Sequence, residues 1–190
     1  MDKELKKIIL SDLYRYGYGI CEKKIPFFTR KCLYGYKFTK ILRSCKYYKN
    51  KNKIKFIYYR LLLDKYSLKF GFQISWGTEI GSGFYLGHLG NVVINSQAII
   101  GKNVNISQGV TIGITNRGAK QGVPRIGDNV WIGANSTIVG GISIGNDVLI
   151  APNTFVNFDI PDHSIVIGGK ASVISRENAT EKYINNRVEE

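Results

Sequence analysis

The chain has 190 residues, is 44% hydrophobic, and carries 27 Lys and Arg against 14 Asp and Glu, a net charge of +13. That length fits one domain, or one domain with a small appendage, and holds enough apolar residues for a real core. No run of about 18 consecutive apolar residues occurs, which argues against a transmembrane helix; the start MDKELKKIILSDLYRY lacks the apolar stretch of a secretory signal, and a cytoplasmic protein is expected.

The first third reads as helices over 3–16, 26–46 (with Pro26 at the first helical position) and 53–69. The third of these, KIKFIYYRLLLDKYSLKF, has apolar residues at helical spacing at Ile54, Ile57, Tyr58, Leu61 and Leu62. Residues 1–70 hold 19 Lys and Arg against 5 Asp and Glu and 10 of the 12 tyrosines, whereas 18 of the 21 glycines lie beyond them. The change in composition sets a boundary near residue 70, giving a basic helical region (1–70), a second domain (71–175) and a polar tail (176–190). Three readings of the basic face stand side by side. It contacts an anionic membrane or a polyanionic glycan, which would hold the protein peripherally at the inner face of the cell membrane; it binds nucleic acid; or it reflects a compositional bias toward Lys, Asn, Ile and Tyr. No nucleic-acid-binding motif occurs, so no nucleic-acid partner is expected. The three cysteines, Cys21, Cys32 and Cys45, match no zinc spacing and read as reduced, packed thiols.

From residue 74 the chain repeats with period six: Ile74, Ile80, Leu86, a two-residue slip, Ile94, Ile100, Ile106, Ile112, a gap, then Ile126, Ile132, Ile138, Ile144, Ile150 and Val156. Glycine follows many of these positions, as at Gly81, Gly101, Gly127 and Gly145. Small or β-branched residues sit four places on, as at Ala98, Val104, Ser136 and Thr154. Neither the 3.6 period of a helix nor the alternation of a flat strand produces this. A parallel β-helix does: each hexapeptide forms one flat side, three sides close a coil, and glycine serves the sharp turns.

The repeat breaks twice, at HLGN (88–91) and at ITNRGAKQGVP (114–124), where a polar loop leaves the coil as a candidate lid. His88, one of two histidines in the chain, stands in the first break among small residues. An imidazole there suits a general base working near neutrality; the alternative is a satisfied turn histidine. His163, in IPDHSIV, reads as an exposed turn residue. A three-histidine zinc site is impossible with two histidines, and no metal is expected.

The run IGKNV-NISQGV-TIG, followed by RIGDNV-WIGANS-TIVGGI-SIGNDV-LIAPNT, resembles the hexapeptide-repeat acyltransferases over roughly residues 70–175. The resemblance implies a left-handed β-helix, an N-terminal helical cap, a homotrimer, and acetyl-CoA bound between adjacent subunits. IGSGFYLGHLGNVVIN, ISQGVTIG and the loop ending at Pro124 match the serine acetyltransferase branch best, with His88 in its catalytic position. By register, the amides of Gly113 and Ile114 would flank the thioester carbonyl. Gly133, Ala134 and Ala151 would meet the pantetheine arm, with Trp131 either beside it or simply packed. Lys170 or Arg176 would meet the CoA phosphates.

Departures from that branch are specific. Where it has an aspartate before the histidine, this chain has Gly87; where it has an aspartate one coil earlier, Gln73; where it has an Arg-His pair, Gly122 and Val123. Gln73 either orients His88 through its amide or is a coil-surface residue. Without those charges a free amino acid loses its ammonium and carboxylate partners. The pattern resembles the polysaccharide-biosynthesis acetyltransferases, so the expected reaction is acetyl-CoA-dependent O-acetylation of a capsule or O-antigen sugar, the acceptor held by Asn91, Gln108, Asn116 and Arg117. The alternatives are serine O-acetylation, acetylation of a nucleotide-linked sugar, and a non-enzymatic β-helix, the last opposed by His88 and the loop.

Overall fold

The computed structural model describes residues 2–17, 26 and 33–168. Among the described residues three helices precede the strands: α1 (Lys3–Tyr14), α2 (Tyr34–Tyr48) and α3 (Lys53–Phe70). Asp2 caps α1 by accepting from the Glu4 N–H, and Asn52 caps α3 by accepting from the Lys55 N–H. Gly71 ends α3 in the left-handed conformation at φ 74°. Of the helix expected over 26–46, residues 27–32 lie outside the described residues. Pro26 lies outside any helix, and α2 starts at Tyr34, where the buried face running from Gly35 to Cys45 begins.

Beyond Gly71 the chain winds as a parallel solenoid with three faces. Face A holds β1 (Phe72–Ile74), β4 (Val92–Ile94), β7 (Thr111–Gly113), β10 (Thr137–Val139) and β13 (Phe155–Val156). Face B holds β2 (Glu79–Ile80), β5 (Ile99–Ile100), β8 (Arg125–Ile126) and β11 (Ser143–Ile144); face C holds β3 (Tyr85–Leu86), β6 (Asn105–Ile106), β9 (Trp131–Ile132), β12 (Leu149–Ile150) and β14 (Ile165–Val166). The register stacks period-six aliphatics on one another, for example Ile80, Ile100, Ile126 and Ile144 down face B. All four are buried. The two-residue slip is real in the register: β4 pairs with β7 as Val93↔Thr111, so the turn leading into β4 is longer than the one below it.

The B-to-C corners show how the turns are made. Glycines 81, 101 and 127 do not take positive φ. They are small because a Cβ on Gly101 would stand 2.4 Å from the Gly127 carbonyl oxygen of the next coil. The left-handed positions fall instead to Gly83, Asn103, Asn129, Asp147 and His163, one per coil; Asn and Asp tolerate this conformation best after Gly. Between coils, the Asp128, Asn146 and Asp162 side chains accept from the Lys102, Asp128 and Asn146 N–H groups at 2.6, 2.8 and 2.7 Å.

The helices close the open upper end of this stack. Residues Phe38, Ile41, Leu42, Cys45, Leu63 and Phe70 share one continuous core with the solenoid. Burial pushes the Cys45 thiol up to about 11, so it is inert packing; Cys21 and Cys32 lie outside the described residues. In lower coils each face-B carbonyl, such as that of Ile100, accepts from a glycine N–H of the coil above. The first coil has no coil above it, and Arg43 takes that place, donating to the Ile80 and Gly81 carbonyls at 2.6 Å each. Asp12 holds Arg43 through Nε at 3.0 Å and Nη2 at 3.1 Å, and accepts from the Phe84 N–H. Tyr16 Oη both donates to the Leu86 carbonyl and accepts from its N–H. Gly35 permits this fit: a Cβ there would lie 2.0 Å from the Leu86 carbonyl oxygen.

Removing one partner of a buried ion pair leaves the other charge uncompensated. Asp12→Ala should therefore cost about 3–5 kcal/mol, read as a lower urea midpoint with an unchanged slope.

Candidate active site

His88 stands on the C-to-A corner of the first coil. Below it the equivalent turns run through Ser107–Val110, Gly133–Ser136 and Ala151–Thr154. The upper turn is anchored at its far end: the Gly90 N–H donates to the Phe70 carbonyl at 3.2 Å, and the Val92 N–H to the Gly71 carbonyl at 2.9 Å. The two extra residues therefore bulge outward, with His88 and Leu89 exposed. The His88 imidazole makes no hydrogen bond among the described residues and is open to a ligand. A Cβ on Gly90, at φ 136°, would lie 3.0 Å from Gln108 Cβ, so Gln108 packs directly beneath the bulge.

The candidate residues fall on two corners and one face. Asn91 and Gln108 share the His88 corner. Gly133, Ala134 and Ala151 continue it downward, linked by bonds from the Asn135 N–H to the Gln108 carbonyl and from the Asn153 N–H to the Ala134 carbonyl. Any bulk at Gly133 would strike the Pro152 nitrogen, 2.5 Å from its Cβ position. Gln73 projects outward from β1 opposite Val93 and makes no hydrogen bond to His88. Gly113, Ile114, Asn116 and Arg117 lie on the A-to-B corner, across the width of face A. Lys170 and Arg176 lie outside the described residues.

The segment 114–124 is a pinned hairpin rather than a free lid. Thr115 and Gly122 exchange N–H···O bonds at 3.0 and 2.9 Å, and the Gly141 N–H donates to the Lys120 carbonyl. Lys120 pairs with Asp159, whose other oxygen accepts from the Ser143 N–H, and this pairing holds the Asp159 carboxyl below its ordinary range. Arg117 has no ion-pair partner among the described residues. The Ile114 N–H, likewise, donates to no protein group among them.

Trp131 sits half-exposed on face C, in register between Asn105 and Leu149. It borders two concavities of about 420 Å³ each, one with Tyr14, Arg15, Asn103 and Asn129, the other with Asp147, Leu149 and His163. Both concavities open toward the B-to-C corner, away from the column holding His88. Arg15 reaches there from α1, donating to Asn105 Oδ1 and the Gly83 carbonyl. Sequence reasoning missed that contact because Arg15 looks like any other basic residue of the first third. Among the described residues no three His, Cys, Asp or Glu side chains could hold a metal ion, and no helix is long and apolar enough to cross a membrane.

Known proteins share this fold. Residues 124–157 match the family described as bacterial transferase hexapeptide (six repeats). Serine acetyltransferase 2 of Arabidopsis thaliana is 40% identical over 113 residues, 60% of this chain and 35% of the relative. The chain thus spans about a third of that relative's length. A serine acetyltransferase isoform 3 structure from Entamoeba histolytica, in complex with cysteine, superposes with TM-score 0.71 at 28% identity, covering 94% of this chain and 64% of that one. Serine acetyltransferase from Brucella abortus, in complex with coenzyme A, gives 0.71 at 25% identity, covering 91% and 68%. The hexapeptide solenoid is therefore a left-handed β-helix.

The second histidine is held quite differently from His88. His163, exposed and at φ 57°, has Nδ1 2.8 Å from Asp147 Oδ2, and this contact raises its pKa above the ordinary 6.5. A raised histidine value means the pairing is fully present below the unfolded value and is lost as pH rises through the folded one. Proton NMR titration should show one imidazole titrating above 6.5. That resonance should vanish in His163→Gln and fall toward the ordinary value in Asp147→Asn.

Proposed function

We propose that the chain is an acetyl-CoA-dependent O-acetyltransferase with His88 as general base and the hydroxyl of L-serine as acceptor. The observation that carries this reading is the exposed, unbonded imidazole on the one lengthened C-to-A corner, in a fold whose solved neighbours are serine acetyltransferases. In the reaction His88 takes the hydroxyl proton as the oxygen attacks the thioester carbonyl. The oxyanion then collapses and expels the CoA thiolate, which recovers the proton from the imidazolium. The free Ile114 N–H is the oxyanion donor, whereas the Gly113 amide expected beside it belongs to the β7–β10 ladder; such donors contribute roughly 3–4 kcal/mol in other acyl transfers. Gly133, Ala134 and Ala151 offer a smooth column for the pantetheine arm. Arg117 offers the acceptor's carboxylate a cation.

The serine assignment replaces the polysaccharide hydroxyl expected from the sequence. One observation keeps a sugar hydroxyl as a second reading. Gly87, Leu89, Gly90, Asn91 and Gln108 bring no charge to the His88 corner, and Lys120 is already paired with Asp159. An ammonium left without a partner there would cost more than the roughly 1–3 kcal/mol of an unpaired neutral group.

The assembly follows from the same corners. His88 and the hairpin donors lie on opposite edges of face A, separated by about 10 Å of strand at 3.3 Å per residue. One chain alone does not bring them together. A threefold ring, in which each copy's A-to-B corner meets the next copy's C-to-A corner, closes the site three times over. Sedimentation equilibrium should give about three times the 21.4 kDa chain mass, and a stable monomer at micromolar concentration would remove the basis for a shared site.

His88→Ala should lower turnover by about 10²–10⁴ while acetyl-CoA still binds. Thiol release from acetyl-CoA, followed with L-serine and with a panel of oligosaccharides, should proceed on serine. Turnover confined to a saccharide would establish the second reading instead.

A further inference from the structure

Helix α3 is apolar on two opposite sides. Phe56, Tyr59, Leu63, Tyr66 and Phe70 face α2 and the first coil, where Leu63 and Phe70 are buried. The opposite stripe, Ile54, Ile57, Tyr58, Leu61 and Leu68, faces outward, and Ile54 and Leu68 are 81% and 88% exposed. A helix that merely capped the solenoid would carry polar residues there. Exposed apolar side chains in a continuous row mark an interaction surface rather than scattered surface residues.

The charges around the stripe decide what covers it. Lys65 lies within the row, and Lys53 and Lys69 flank it; none has a carboxylate partner among the described residues. The helix has one acid, Asp64, and Arg60 already pairs with it. A second copy docked through this stripe about a twofold axis would set lysines against lysines with no acid to offset them. A polyanion in solution would use the lysines and leave the leucines in water. An anionic bilayer uses both: the apolar side chains enter the acyl boundary while the lysine heads stay at the phosphate level.

We infer that α3 is a docking helix for anionic lipid bilayers, lying in the membrane plane with Ile54, Tyr58, Leu61 and Leu68 inserted and Lys53, Lys65 and Lys69 on the headgroups. This goes beyond the proposed reaction and does not depend on it. The helix ends at Phe70, whose carbonyl accepts from the Gly90 N–H, so the end of α3 is joined to the loop that carries His88.

The test is co-sedimentation of the full-length protein with vesicles of phosphatidylcholine alone and of phosphatidylcholine mixed with phosphatidylglycerol. Two variants are compared with the parent: Leu61→Glu/Leu68→Glu, at exposed positions, and Lys53→Gln/Lys65→Gln/Lys69→Gln. Thermal unfolding by circular dichroism checks that both are folded. The parent should bind the anionic vesicles and weaken as salt rises from ~0.1 to ~1 M, where the screening length falls from about 10 to about 3 Å. Each lysine neutralised should weaken anionic binding about fivefold. The leucine variant should lose at least about a hundredfold even at low salt, the amount expected from withdrawing two buried leucines from an apolar phase. Equal binding to both vesicle types overturns the inference. So does anionic binding indifferent to the leucine pair, which would mark a polyanion site. So does a parent that ignores vesicles but halves its sedimentation mass in the leucine variant, which would mark a second copy.

Discussion

The buried pair of Asp12 and Arg43 is the interaction on which the rest of the molecule depends. A solenoid coil satisfies its backbone with the coils above and below, and the first coil lacks one of these. Arg43 supplies the missing donors to Ile80 and Gly81, and Asp12 supplies an acceptor to Phe84. Burial pushes the Asp12 carboxyl up, while Arg43 and the Phe84 amide pull it back toward the charged form. A pair taken out of water repays its desolvation only when every remaining polar atom is bonded. Here the guanidinium donates to two carbonyls and a carboxylate, which meets that condition. Through Tyr16 and Leu86 the same cap fixes β3, and β3 delivers the corner on which His88 stands.

The hairpin on the A-to-B corner has a related character. It leaves the coil, as a polar glycine-rich insertion must, but the Lys120–Asp159 pair and the Gly141 bond return it to the stack. It thus presents Asn116 and Arg117 from a preformed wall. Preformed donors lose less ordering entropy when a ligand arrives than a closing lid does. In the proposed assembly the two halves of the site are each held on their own chain, and the packing of subunits would bring them together.

Much of the solenoid was legible because its signal is one-dimensional: an inward side chain every sixth residue needs no knowledge of distant contacts. The slip at 88–91 and the insertion at 114–124 were legible for the same reason, as breaks in a count. The turn chemistry was read wrongly in part. Glycine after each aliphatic suggested sharp turns, yet Gly101 and Gly127 are small to let coils touch, and Asn103 and Asn129 make the turns. The cap was illegible in detail, since Asp12 and Arg43 are 31 positions apart in a segment crowded with charge and nothing local distinguishes them. The helix that carries the buried face begins at Tyr34, whereas the expected start at Pro26 runs into residues outside those described. For the site, register placed His88 and the hairpin but not their separation across face A, nor the turn of Trp131 toward the B-to-C corner. The acceptor is the hardest to read, because missing charges report only what a pocket lacks; in the proposed reading Arg117, on another corner, would restore part of it.

The first coil's upward-facing groups have one more consequence. A β-helix is in principle an open-ended polymer, since each terminal coil displays the hydrogen-bonding row that the next coil, or the next molecule, would use. At this pole the carbonyls of Ile80, Gly81, Gly83 and Leu86 and the amides of Gly83, Phe84 and Leu86 are all taken by side chains of the helical cap. Stacking of a second molecule on these strands is therefore disfavoured, which guards this stretch of the pole against end-on growth into fibrils.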